Sequence, residues 1–91
     1  MSLREEKKAA TRRAISEAAA ALLLEEGEDA ATVARVSERA GVSARTFHNY
    51  FADIDEALEE FLRKVFAAIA EQIAALPEEL SAAEAIETII V

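Results

Sequence analysis

The chain predicts an all-α fold: a helix-turn-helix unit of three helices, then a long fourth helix and a short fifth. Three observations carry that expectation. Alanine is abundant, while 91 residues hold only two glycines and one proline, so little interrupts helix formation. Apolar residues recur at steps of three and four rather than alternating. Start signals (Ser2, Thr32, Ser43, Asp53, Ser81) and stop signals (Gly27, Gly41, Pro77) divide the sequence into helix-sized pieces.

Taken in order, Ser2 with Glu5 forms a capping box opening a first helix, which runs to about Glu26 before Gly27 stops it. Its apolar face is Ile15, Ala18, Ala19, Leu22 and Leu23. Residues 27–31 read as a loop, and Thr32 as the N-cap of the second helix. Val33, Val36 and Ala40 share one face of that helix, and Gly41 ends it. Ser43 caps the third helix, in which Phe47 and Phe51 lie four apart and face inward. Asp53 with Glu56 opens the fourth helix, expected to end near Leu76. Ile54, Leu58, Phe61, Leu62, Val65, Ile69, Ile73 and Leu76 would form one broad buried stripe along it. Pro77 breaks it, and Ser81 with Glu84 signals a fifth helix carrying Ile86, Ile89 and Ile90. Residues 1–52 thus form the helix-turn-helix unit. Residues 53–91 hold helix four and a truncated start of a further helical region, in one compact domain overall. The Ile-Ile-Val ending calls for an apolar partner, in the fold or on another chain.

Composition narrows the function classes. No cysteine is present, so there is neither a disulfide frame nor thiol chemistry, which fits a reducing cytoplasm. The longest apolar run, residues 18–24, is too short to span a bilayer, and a membrane role is not expected. The lone histidine, His48, has no Ser/Asp arrangement around it, and no glycine-rich phosphate loop occurs. Neither catalysis nor a metal or other cofactor is expected. The acids opening helix four lack a metal-binding loop and read as capping and solubilising groups.

The net charge of −8 is awkward for binding a polyanion, but it is unevenly spread. Residues 1–50 carry eight basic and eight acidic groups, whereas residues 51–91 carry two and ten. A neutral half that gathered its cations on one face could still bind phosphates.

Residues 32–51 are the informative stretch. Two short helices joined by a tight turn are the shape that lets a helix enter the DNA major groove. A third helix of seven or eight residues is too short to be stable alone, and its exposed face needs a use. Arg45, Thr46, His48 and Asn49 are left largely for that outer face. Arg45 can give two donors to guanine O6 and N7, and Asn49 can pair with adenine N6 and N7.

Over residues 12–61 the chain resembles the N-terminal DNA-binding domain of the tetracycline-repressor (TetR) family. Ile15, Ala18-Ala19 and Leu22-Leu23 before Gly27 match its first helix. Thr32-Val33, Val36 and Ala40-Gly41-Val42-Ser43 match its second helix and turn. Thr46-Phe47-His48-Asn49-Tyr50-Phe51 matches its recognition helix, and Ala57-Leu58 follows in helix four. No single step is specific; the ordered set is. The resemblance implies that Thr32 and Tyr50 contact phosphates, and that Ala44, Arg45, Thr46, His48 and Asn49 present the groove-reading surface. Arg35 stands where a capping-box acid would follow Thr32, and is expected to contact a phosphate instead. The family often carries a lysine before helix four; here the segment is Ala52-Asp53-Ile54-Asp55, with Glu56, Glu59 and Glu60 close behind. These acids suit the helix dipole and would repel a DNA strand.

The resemblance further implies a cytoplasmic transcriptional regulator of repressor type, binding double-stranded DNA as a homodimer on a palindromic operator. The family's C-terminal domain with its inducer pocket has little room in 91 residues, so no small-molecule pocket is expected. The alternative is a TetR-like helical scaffold or interaction module, designed or resurfaced, with little DNA affinity. The state of Arg12, Arg13, Arg35, Arg39 and Arg45 separates the two: a contiguous basic face favours the regulator, and cations paired off with Glu17, Glu38 and the helix-four acids favour the scaffold.

Overall fold

The computed structural model describes residues 2–76, and these contain four α-helices, one 3-10 turn and no strand. The expected Pro77 break and fifth helix lie outside the described residues. Helix α1 spans Leu3–Glu26. The Ser2 hydroxyl accepts from the Glu5 amide at 3.2 Å, satisfying one of the first-turn donors that no carbonyl can reach. At the other end the Gly27 amide donates to the Leu23 carbonyl at 3.0 Å. The expected loop contains a single 3-10 turn, Glu28–Ala30, which leads to Thr32.

Helix α2 spans Val33–Ala40 and α3 spans Ala44–Tyr50. The intervening turn is short because Gly41 is left-handed, at φ 74° and ψ 31°. Its amide donates to the Glu38 carbonyl and the Val42 amide to the Ser37 carbonyl, the paired bonds of a Schellman ending. Ser43 starts α3 at once, its hydroxyl accepting from the Thr46 amide at 3.0 Å.

The core of this part is formed by Ile15, Ala18, Ala19 and Leu22 of α1, Val36 of α2, Phe47 of α3, Phe51 after it, and Ala57 of α4. Alanines on α1 keep its backbone near its neighbours, and the two phenylalanines fill most of the remaining volume. Fully burying a side chain as large as Phe47 contributes about 1.5–3 kcal/mol. Val33, Ala40, Val42, Tyr50, Ile54 and Leu58 close the edges. Two buried serines were not foreseen. Ser16 donates to the Arg13 carbonyl at 3.1 Å, whereas the buried Ser37 hydroxyl has no hydrogen-bond partner.

Helix α4 spans Ile54–Ala74. Asp53 accepts from the Glu56 amide at 2.9 Å as expected of a cap, and Glu56 reaches back to the Ala52 amide at 3.3 Å. The broad buried stripe expected along this helix needs correction. Ala57 is buried and Ile54, Leu58 and Phe61 are half-buried, but Leu62, Val65, Ile69 and Ile73 are 36–50% exposed. Phe66, beside that stripe, is 64% exposed. Periodicity reports which residues share a face, not whether anything covers it. By its contacts the chain divides into two compact units, the first ending at Phe61 and the second beginning at Leu62.

Candidate nucleic-acid interface

The outward face of α3 is built by subtraction. Phe47 points into the core, and the chain leaves the helix at Phe51, whose amide donates to the Phe47 carbonyl at 2.9 Å. Ala44, Arg45, His48 and Asn49 are exposed, and Thr46 and Tyr50 flank them half-buried. Arg45 and Asn49 stand one turn apart, as do Ala44 and His48. The helix is about 10 Å long at 1.5 Å per residue, which suits a major groove about 12 Å wide. No acidic residue lies on α3, and Arg45 takes part in no ion pair among the described residues.

The flanking positions are more constrained than the sequence suggested. Thr32 caps α2, its hydroxyl accepting from the Arg35 amide at 3.2 Å. The Thr46 hydroxyl accepts from the Ser43 hydroxyl at 3.1 Å, so its oxygen is partly engaged by the cap. The His48 ring meets the edge of Phe47, with ring centroids 5.2 Å apart. Tyr50 packs its ring against the core, which leaves its hydroxyl end as the natural polar contact.

Of the five arginines that could form a basic face, three are held by acids. Arg35 places two guanidinium nitrogens on the two Glu26 oxygens, at 3.0 and 2.9 Å. Arg39 donates to Glu25 at 2.5 Å, and Arg12 to Glu60 at 2.6 Å. The Arg35 hydrogen bond, aided by the charges of Arg35 and Arg39, holds the Glu26 carboxyl below its usual range. Glu26 in turn pushes the Arg35 guanidinium still higher, so it keeps its charge. Two of the partners, Glu25 and Glu26, sit at the end of α1 and are not the Glu17 and Glu38 expected; only Glu60 comes from the expected helix-four acids.

Of the acids after α3, Asp53, Asp55, Glu56 and Glu59 are exposed and Glu60 is half-buried. Asp53 and Glu56 are hydrogen-bonded to backbone amides at the start of α4, which satisfies the helix end locally while leaving the charges in place. From the sequence, Arg12 counts only as one of five arginines that could form a basic face. In the structure its guanidinium lies over the Phe51 ring, 4.6 Å from the centroid, and donates to the Tyr50 carbonyl at 3.4 Å as well as to Glu60. The signal was available: Arg12 precedes Ile15, Ala19 and Leu22 at helical spacing, and so begins the apolar stripe.

Among the described residues no helix is long and apolar enough to cross a membrane, and no group of acidic or histidine side chains is placed to hold a metal ion. Residues 15–61 match the family described as bacterial regulatory proteins, tetR family. The match begins in α1, takes in the whole helix-turn-helix and ends at the last residue of the first compact unit. No curated protein matches the chain significantly.

Proposed function

Because the chain belongs to the tetR family of bacterial regulatory proteins, a family of DNA-binding regulators, we propose that it binds double-stranded DNA sequence-specifically through α3. Its action is that of a repressor, working as a homodimer on a palindromic operator in the cytoplasm. The observation that carries this reading is the exposed, acid-free face of α3, with Arg45 unpaired by any acid among the described residues. Arg45 and Asn49 read bases, with Ala44, Thr46 and His48 shaping the rest of the contact. Thr32, Arg35 and Tyr50 hold the phosphate backbone and fix the register.

Arg35 must leave Glu26 to meet a phosphate. That exchange is feasible because an ion pair exposed to solvent contributes little, and a phosphate offers the same two-pronged geometry. The pairing of Arg12, Arg35 and Arg39 with acids is the arrangement that favours the scaffold; the family match and the acid-free face of α3 outweigh it, and the pairing implies modest affinity for arbitrary DNA, with selectivity left to α3.

The test is selection from a randomised duplex pool at low and moderate salt, with Arg45→Ala beside the parent. An enriched palindrome is expected. Arg45→Ala should weaken binding to it by about 1–3 kcal/mol and relax preference at one position of each half-site. No enrichment even at low salt would refute the reading and leave a helical scaffold or interaction module. Light scattering with and without the selected duplex checks the dimer.

A further inference from the structure

We propose that Arg12 is the positioning residue of the recognition helix: a C-terminal cap supplied from α1 that fixes the angle at which α3 is presented. The inference rests on the DNA-binding reading and adds to it a residue that touches no DNA. Helix α3 has seven residues, and its C-terminal end lacks the glycine that closes α1 and α2. After Tyr50 the chain turns directly to extended backbone at Phe51, φ −137° and ψ 141°. A helix leaves its last carbonyls without intrahelical donors, and here only the Phe47 carbonyl is met by the Phe51 amide. The Tyr50 carbonyl receives the Arg12 guanidinium, whose charge also suits the negative end of the helix dipole.

Three contacts converge on that one planar group. Nε donates to Glu60 at 2.6 Å, a terminal nitrogen donates to the Tyr50 carbonyl at 3.4 Å, and its face covers the Phe51 ring at 4.6 Å. Glu60 is the anchor: its side chain is only 13% exposed, against 40% for Arg12. A lysine could satisfy the charge of Glu60 but not the stacking and the fork together, because its ammonium is a point donor on a flexible stem.

Opposite outcomes separate this role from a phosphate contact. If Arg12 were a phosphate contact held back by Glu60, then Glu60→Gln would strengthen DNA binding, because it removes a negative charge and frees the cation. A positioning role demands that Glu60→Gln weaken selected-site binding. The experiment measures affinity for the selected duplex and for arbitrary duplex across a salt series, for the parent, Arg12→Ala, Arg12→Lys and Glu60→Gln.

The expected result is a selected-site loss of about tenfold or more for Arg12→Ala and for Arg12→Lys, and a smaller loss for Glu60→Gln. Arbitrary-duplex affinity should stay within about twofold, and the salt slope should be unchanged. Equal losses on both duplexes with a slope smaller by about one, or rescue by lysine, or tighter binding by Glu60→Gln, would overturn the proposal.

Amide exchange supplies a readout that needs no DNA. In Arg12→Ala the Phe51 amide, bonded to Phe47, should exchange at least about tenfold faster, while the Val42 amide in the turn keeps its protection. Unchanged protection at Phe51, or an equal loss at both amides, overturns the cap. Should the parent select no DNA while Phe51 responds as expected, the cap stands and the DNA-binding reading falls.

Discussion

Gly27 and Gly41 end successive helices, yet substitution should separate them by backbone region alone. A Cβ added at either glycine meets no atom within 4 Å, so steric crowding contributes nothing and the cost is conformational. At Gly41, φ 74° and ψ 31° are left-handed helical values, where an ordinary L-residue pays about 1–2 kcal/mol. Restricting the unfolded chain returns about 0.4–1 kcal/mol, so Gly41→Ala should lose about 1 kcal/mol net. That corresponds to roughly 4–8 °C in Tm for a domain of this size. Gly41→Asn should lose less, because asparagine visits the left-handed region readily. Gly27, at φ 94° and ψ 175°, lies in a region that is nearly glycine's alone. There alanine should cost about 1–3 kcal/mol, and asparagine should recover none of it. Urea melts of the four variants measure these differences as midpoint shifts at constant slope. A loss above about 3 kcal/mol at Gly41, or asparagine rescuing both sites equally, would refute the attribution to backbone region.

Two further outcomes follow from buried and paired groups. Ser37→Ala removes a buried hydroxyl that has no hydrogen-bond partner, and should raise stability by about 1 kcal/mol in the same melts; a destabilised variant would show that the hydroxyl is satisfied in solution. Glu26 has its ordinary value of 4.5 lowered in the folded chain, chiefly by the Arg35 hydrogen bond, so the unfolded state binds its proton more tightly. The contribution of the pair is therefore complete above about pH 4.5 and disappears as pH falls through the lower folded value. The difference in Tm between parent and Glu26→Gln should shrink over that window and with added salt; a difference independent of pH would exclude the ion pair as its source.

What could be read from the sequence was local. Ser2, Thr32, Ser43 and Asp53 each cap a helix through their own side chains, because a capping contact spans only three residues. The same locality made the inward side of α3 legible from Phe47 and Phe51, and the outward side followed. Long-range pairings were not legible. Arg12 and Glu60 are 48 positions apart, and nothing in either neighbourhood names the other. Whether Arg35 and Arg39 stand free or paired is not legible either, because their partners, Glu26 and Glu25, belong to a different helix. Nor could periodicity tell that helix four would cover its apolar face at Ala57 but not at Phe66.

The arginine–glutamate pairs bear on how fast the protein can find a site. Steered encounter requires an unopposed positive field, whereas here three cations cancel locally within a chain whose net charge is −8. Within the screening length of about 8 Å, or further out at low salt, a duplex meets a chain of net negative charge, so no attraction draws it in before contact. Association would then proceed nearer the unsteered range of about 10⁵–10⁶ M⁻¹s⁻¹ than the steered one. Added salt would hasten encounter by screening the repulsion while weakening the phosphate contacts once formed. For such a protein, residence time on a DNA site, rather than speed of arrival, would set occupancy.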